Sequence, residues 1–204
     1  MILARGPTYN LPFRRRREMK TDYEKRRALL ASGLPRLVIR ITGKHVVAQL
    51  TEATPQGDRV LASANSAELT GNYGWKGGSR DLPAAYLTGL LAGIRASSRT
   101  VKEAIIDVGL RRVTKGSRVF SALKGAVDSG LKIPHDEQVL PDQARVRGEH
   151  IASYAKELSS LPEQYKRRFS RYLAAGLKPE SLPEHFDEVK GRMLESHKKE
   201  AQPP

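Results

Sequence analysis

Cysteine is absent from the 204 residues, which rules out disulfides and thiolate metal ligands and suits a reducing compartment. Histidine is scarce. The five that occur are scattered, with no two spaced three or four apart, so a histidine-based zinc site has no scaffold. No apolar run approaches the roughly 18 residues of a membrane span. The N-terminus shows no apolar h-region followed by a small-residue cleavage site, and a membrane is not expected as a partner. Acidic residues are outnumbered: 22 Asp and Glu stand against 36 Lys and Arg, for a net charge of +14 and a pI near 10.2. Such an excess points to a polyanion, and to nucleic acid before a membrane surface.

The charge divides the chain into three parts. Residues 1–34 carry net +6, residues 35–148 net +7 and residues 149–204 net +1. The expected organisation is a basic, nucleic-acid-binding arm (1–34), an α/β core (35–148) and a nearly neutral, structural helical extension (149–204). In the arm, Arg14, Arg15, Arg16 and Arg17 form a cationic block, followed by Lys20, Lys25, Arg26 and Arg27. Tyr9, Phe13 and Tyr23 interleave rings able to stack on bases or sugars. Asp22 and Tyr23 open a short helix that ends near Gly33. Adjacent arginines repel one another, so the arm is expected to stay disordered until it meets RNA or DNA. A nuclear-localisation-like or merely solubilising tail is the competing reading.

From Pro35 the period changes to two. Leu37, Ile39 and Ile41 alternate with polar or outward residues, Gly43-Lys44 turns the chain, and Val46, Ala48 and Leu50 continue the alternation. A second turn at residues 54–58 leads into Val60–Ala64, completing a three-stranded antiparallel meander. Lys44 and His45 sit at the first hairpin tip, where His45 reads as a plain turn residue. A glycine-dense loop, residues 71–80, holds the only Trp; Trp75 either stacks on a base or closes the edge of the core. The loop matches neither GxxxxGK[ST] nor GxGxxG. Asp81 as N-cap and Pro83 in the first turn start a helix through Ile94, in which Gly89 and Gly93 permit close approach to the sheet.

Residues 103–131 organise the rest. Ala104–Val108 is too short for a helix and reads as a buried strand. Gly109 ends it, and Arg111, Arg112 and Lys115 form a basic loop. Ser117 as N-cap and Arg118 then open a helix with Val119, Phe120, Leu123, Ala126 and Val127 on one face, stopped by Gly130. A strand passing through a cationic loop into a helix N-terminus makes an anion-binding corner, because free N–H groups and the helix dipole attract phosphate. A solvated basic loop is the plain alternative. The fold class is therefore α/β, a mixed sheet with strand-strand-strand-helix-strand-helix order, a basic N-terminal arm and a helical C-terminal extension.

That order also fits ribonuclease-H-like nucleases, which need several carboxylates converging on metal ions. The first strand offers Arg36, Arg40 and Thr42 but no acid, and Asp107 is the only acid inside an expected strand. A lone buried Asp reads as a structural hydrogen-bonding group, so no catalytic residue and no cofactor is expected.

The blocks FRRRREMKTDYEKRRALLASG, PRLVIRITGKHVVAQL, YGWKGGSRDLPAAYLTGLLAG, AIIDVGLRRVTKGSRVFSALKGAVDSGL and PHDEQVLPDQARVRGEHI together resemble one family. It is the 5S-rRNA-binding large-subunit ribosomal protein known as ribosomal protein eighteen in bacteria and archaea, with a eukaryotic relative called ribosomal protein five. The resemblance runs from about Tyr9 to Tyr154. The YGWKGG loop, the arm and the extension are similar to the archaeal and eukaryotic branch. The resemblance implies a non-catalytic protein of the cytoplasmic large ribosomal subunit that binds 5S rRNA and anchors it in the central protuberance. It also implies contacts with 23S-type rRNA and with a neighbouring 5S-associated ribosomal protein. Carried over, RNA contacts fall on Arg14 to Arg17, Lys20, Tyr23, Arg26 and Arg27 in the arm and on Lys44 and His45 at the hairpin. They fall also on Trp75, Lys76 and Arg80 in the loop, and on Arg111, Arg112, Lys115, Ser117 and Arg118 at the corner. An RNA-binding or assembly protein acting off the ribosome is the runner-up, and the nuclease comes third.

The tail reads as helices with aromatic stripes: Ile151, Tyr154, Ala155 and Leu158; then Tyr165, Phe169, Tyr172 and Leu173, ended by Gly176; then Phe186, Val189 and Met193. They are expected to dock on the core or on adjacent ribosomal components, with fraying from Lys198.

Overall fold

Alternation fixes the sheet. The computed structural model describes residues 6–201, with side chains as far as His197. Strands β1 (Arg36–Ile41), β2 (Val46–Thr54) and β3 (Gly57–Asn65) form the expected meander, with Leu37 opposite Leu50, Ile39 opposite Ala48 and Ile41 opposite Val46. β2 and β3 pair antiparallel with a bulge between Leu50 and Thr51. The short strand β4 (Ile105–Asp107) returns after a helical crossover and pairs parallel to β1, so the order across the sheet is β3-β2-β1-β4.

Every second residue of β1 and β2 faces helices α4 (Leu82–Ser97) and α5 (Arg118–Asp128), which meet the sheet through Ala85, Val119, Leu123 and Ala126. α4 is buried on nearly all sides, as expected for a helix with almost no polar face. The glycines in α4 do not meet the sheet as expected; they meet α5. A Cβ on Gly89 would lie 1.9 Å from the Ala122 carbonyl oxygen, and one on Gly125 would lie 2.1 Å from that of Tyr86. Backbone therefore packs on backbone where the two helices cross.

A helix absent from the expected order, α3 (Ser66–Tyr73), follows β3 directly. Asn65 caps it by accepting from the Ala67 N–H, and Glu68 reaches back to the Asn65 N–H in a capping box. Gly71, Asn72 and Tyr73, read from the sequence as loop, are its last turn. The chain leaves through Gly74 at φ +71°, a left-handed conformation that glycine adopts without strain.

The extension folds onto the same chain. α6 (Gln143–Arg147), α7 (Glu149–Leu158), α8 (Pro162–Arg168), α9 (Ser170–Ala174) and α10 (Leu182–Ala201) pack beyond α4. Phe186, Val189 and Met193 of α10 share one core cluster with Leu87, Leu90, Leu91 and Trp75. Of the end expected to fray from Lys198, the backbone is helical to Ala201, and residues 202–204 lie outside the described ones. Among the described residues no helix is long and apolar enough to cross a membrane.

Candidate nucleic-acid interface

Three segments far apart in sequence meet at one edge of the molecule. The β1–β2 turn is closed by the Thr42 N–H donating to the His45 carbonyl at 2.8 Å, while the Thr42 hydroxyl accepts from the His45 N–H at 2.9 Å. This leaves Lys44 exposed and His45 half-buried, its Nδ1 3.4 Å from the Ser66 hydroxyl. Arg80, from the glycine-dense loop, donates to the Gly43 carbonyl at 2.8 Å. Arg118, at the start of α5, donates to the Arg80 carbonyl at 3.4 Å. Arg111 donates to the Ile41 carbonyl at 2.5 Å, pinning the corner loop to the base of the hairpin. Arg112 and Lys115 stay exposed on that loop, which is held by the Gly116 N–H donating to the Val139 carbonyl. Hairpin tip, loop and corner thus form one basic edge.

Two expected caps at this edge differ from the sequence reading. Ser117 has the extended backbone of an N-cap, but its hydroxyl makes no cap hydrogen bond and lies buried without a partner. Asp81 precedes α4 without capping it, because its carboxylate accepts from the Tyr172 hydroxyl at 2.6 Å instead. Burial and the Asp81 charge push the Tyr172 phenol well above its ordinary range.

Trp75 is not part of the surface. Its ring is 1% exposed, its Nε1–H donates to the Gly78 carbonyl at 3.1 Å, and it stacks on His185 of α10 at 5.3 Å between ring centroids. The ring folds over its own loop: a Cβ on Gly77 would lie 2.4 Å from it. The two glycines after the Trp were the available signal. The neighbouring Lys76 side chain is exposed, while its N–H donates to His185 Nε2 at 3.0 Å. Burial lowers the His185 pKa, keeping that nitrogen free to accept.

The arm lies over the other face of the sheet. Arg14 to Arg17 form one exposed helical turn, α1 (Arg14–Arg17), where disordered chain was expected. Arg14 pairs with Glu18 at 3.0 Å, Lys20 with Glu18 at 2.9 Å, and Arg15 donates to the Thr21 hydroxyl at 2.9 Å. Tyr23 starts α2 (Tyr23–Leu30) where a helix start was expected, with Asp22 as its N-cap, and its ring lies 5.1 Å from that of Phe13. Arg27 is exposed. Arg26 is occupied: its guanidinium makes two hydrogen bonds to Asp58, at 3.0 and 2.7 Å, and is half-buried by them.

Asp58 begins a chain of alternating charges. Arg36 Nη2 lies 2.8 Å from Asp58, out of line for a hydrogen bond, and Arg36 Nη1 donates to Asp107 at 2.8 Å. Arg40 donates to the other Asp107 oxygen at 2.9 Å, and the Gly109 N–H adds a third bond at 2.9 Å. Burial raises the Asp107 pKa, but the Arg40 bond and charge, the Gly109 N–H and Arg36 outweigh it, and the net shift is downward. The Arg26 hydrogen bonds hold Asp58 below the usual carboxylate range against its partial burial. Asp107 is thus the structural group the sequence suggested. Between arm and sheet this leaves a groove of about 950 Å³ lined by Arg15, Lys20, Lys25, Arg40, Gln49 and Leu110, among others. Among the described residues no group of three or more His, Cys, Asp or Glu is placed to hold a metal.

A mixed sheet with a basic edge, a cationic arm over one face and its buried acid engaged by arginines defines a basic α/β module suited to polyanions rather than to catalysis. A family model described as "Ribosomal large subunit proteins 60S L5, and 50S L18" matches residues 7–103 and 94–136, and the chain belongs to that family of structural, non-catalytic proteins. It is 54% identical over 198 residues to the large ribosomal subunit protein uL18 of Caldivirga maquilingensis, covering 97% of this chain and 96% of the relative. It is 57% identical over 195 residues to the protein of the same name from Thermofilum pendens, covering 95% and 99%.

Proposed function

We propose that this chain is a structural constituent of the large ribosomal subunit in the cytoplasm. It binds 5S rRNA and anchors it to the 23S-type rRNA in the central protuberance, beside a neighbouring 5S-associated ribosomal protein. The observation that carries the reading is the junction of hairpin tip, glycine loop and corner through Arg80, Arg118 and Arg111, beside a cationic arm. Arg14 to Arg17, Lys20, Tyr23, Arg27, Lys44, Lys76, Arg112 and Lys115 reach RNA directly. Arg80, Arg111 and Arg118 bind phosphate with the donors their carbonyl contacts leave free, since a guanidinium has five. His45 and Ser117 contribute position at the tip and corner, and Arg26 anchors the arm to Asp58. Phosphate contacts give most of the affinity, and RNA shape and the aromatics of the arm, of which Phe13 is exposed, give selectivity, because an A-form major groove admits no helix.

A filter-binding salt titration with 5S rRNA, an equal excess of tRNA and duplex DNA, in Mg²⁺, tests the reading. The expected result is tight binding to 5S rRNA alone, persisting at moderate salt without cleavage. Equal, salt-sensitive binding to all three would replace it with general RNA binding off the ribosome, and Mg²⁺-dependent cleavage would return Asp107 to consideration as a nuclease acid.

A further inference from the structure

The helical extension reaches the glycine loop of the basic edge at three points, one at each end and one in the middle. On α10, His185, Glu188 and Arg192 follow at spacings of three and four and so share a helix face. Arg192 donates to the Tyr73 carbonyl at 3.4 Å, where the loop begins. His185 Nε2 accepts from the Lys76 N–H at 3.0 Å, in its middle. On α9, the Tyr172 hydroxyl donates to Asp81 at 2.6 Å, where the loop ends.

These contacts act on backbone. His185 is 8% exposed, and its ring lies nearly flat on Trp75, with 17° between the planes. Trp75 holds the loop from inside, with Gly77 against its ring and its Nε1–H on the Gly78 carbonyl. The Asp81 carboxylate lies against Gly78, where a Cβ would come within 1.9 Å of it. A shift of His185 or Tyr172 therefore passes directly to the main chain between them. The two cations of the loop stand on these fixed points. Lys76 carries the N–H that His185 accepts, Arg80 precedes Asp81, and both side chains are exposed.

We propose that His185 and Tyr172 are positioning residues for RNA binding: both lie beneath the loop and act through its backbone to set where Lys76 and Arg80 meet phosphate. The inference rests on the proposed function and gives the extension a part in it. His185 adds a pH signature, because Nε2 accepts only while it carries no proton. Burial holds the His185 pKa below the ordinary 6.5. The charged groups facing the ring are Glu188 and Arg192 from α10, of which the first raises the pKa and the second lowers it, and Lys76 from the loop, which lowers it. The ring therefore accepts at neutral pH. As pH falls through the lowered value, N–H meets N–H and the loop is released.

The test follows filter binding of 5S rRNA across salt and from pH 7.5 to pH 5. His185→Ala is expected to weaken binding about tenfold at pH 7.5, the order of one hydrogen bond to a charged group. It also lowers the slope of log Kd against log salt by about 1–2, for the two phosphate contacts of Lys76 and Arg80. A smaller folded fraction would weaken binding equally at every salt concentration and leave the slope alone. His185→Gln keeps an acceptor that does not titrate. It should bind like the parent at pH 7.5 and lack the weakening that His185 causes toward pH 5. In a chain already carrying Lys76→Gln and Arg80→Gln, His185→Ala should change neither affinity nor slope further. Should His185→Ala misfold, Tyr172→Phe, which keeps the ring beside Phe169, takes its place with the same expected slope change. An unchanged slope, a full effect on the doubly substituted chain, or a His185→Gln pH profile that matches the parent's overturns the inference. The ribosomal reading fails differently, through a parent chain that binds 5S rRNA no better than tRNA.

Discussion

Arg36 is 2% exposed, and its charge is tolerated only because Asp58 and Asp107 lie at 2.8 Å on either side. Asp107 also holds Arg40 and the Gly109 N–H, so one carboxylate ties β1 to the loop after β4. Asp107→Ala leaves a buried guanidinium short of a counter-charge and is expected to lower unfolding stability by about 3–5 kcal/mol in urea titration. Acid should act on the same network. Asp58 and Asp107 both have folded pKa values below the ordinary 3.8, so their stabilisation is complete above that pH and is lost as pH falls through the lower folded values. Urea midpoints measured from pH 5 downward should fall in the parent protein and flatten in Asp107→Ala. That Asp107 would be structural could be read from its lone place in an apolar strand. That Arg36 would be buried could not, since its two partners stand 22 and 71 residues along the chain and only the folded sheet brings them in.

The α4–α5 crossing depends on missing side chains. Gly89→Ala would put a Cβ 1.9 Å from the Ala122 carbonyl, and since that atom is backbone the helices must separate. The expected loss is about 1–3 kcal/mol or more, the range of an overpacked core. Gly191 of α10 provides the contrast: a Cβ there meets nothing within 4 Å, so Gly191→Ala should raise stability by about 0.5–1 kcal/mol. Thermal unfolding of the two variants beside the parent checks both. The meander was legible because the period of two holds within Leu37–Ile41 and again within Val46–Leu50 on either side of a Gly-containing turn, and α5 because Gly130 stops it. α3 was missed although Asn65 and Glu68 spell its capping box, because Gly71 and Gly74 drew the boundary too early. The glycines of α4 signalled close approach without saying to what. Trp75 shows the same limit, since its cover comes from His185 and Phe186, and no local pattern pairs a loop with a helix that far along the chain.

Taken whole, the molecule carries its +14 charge almost entirely on the arm and the α/β core, while the helical extension is nearly neutral. Replacing Arg14 to Arg17 with Ala should reduce the salt slope of 5S rRNA binding by about 3 and leave the circular dichroism of the core unchanged, because α1 buries nothing. An unaltered slope would remove the arm from the interface. The contact between Lys76 and His185 spans 109 residues, and it sets an order of events during synthesis. At about 5–20 residues per second the glycine loop waits roughly 5–20 s for α10 to emerge and cover Trp75. The arm and the meander are complete before that. On the proposed function, a nascent chain would hold RNA by its arm while the loop edge still lacks its final shape, and the full grip would close only once α10 arrives.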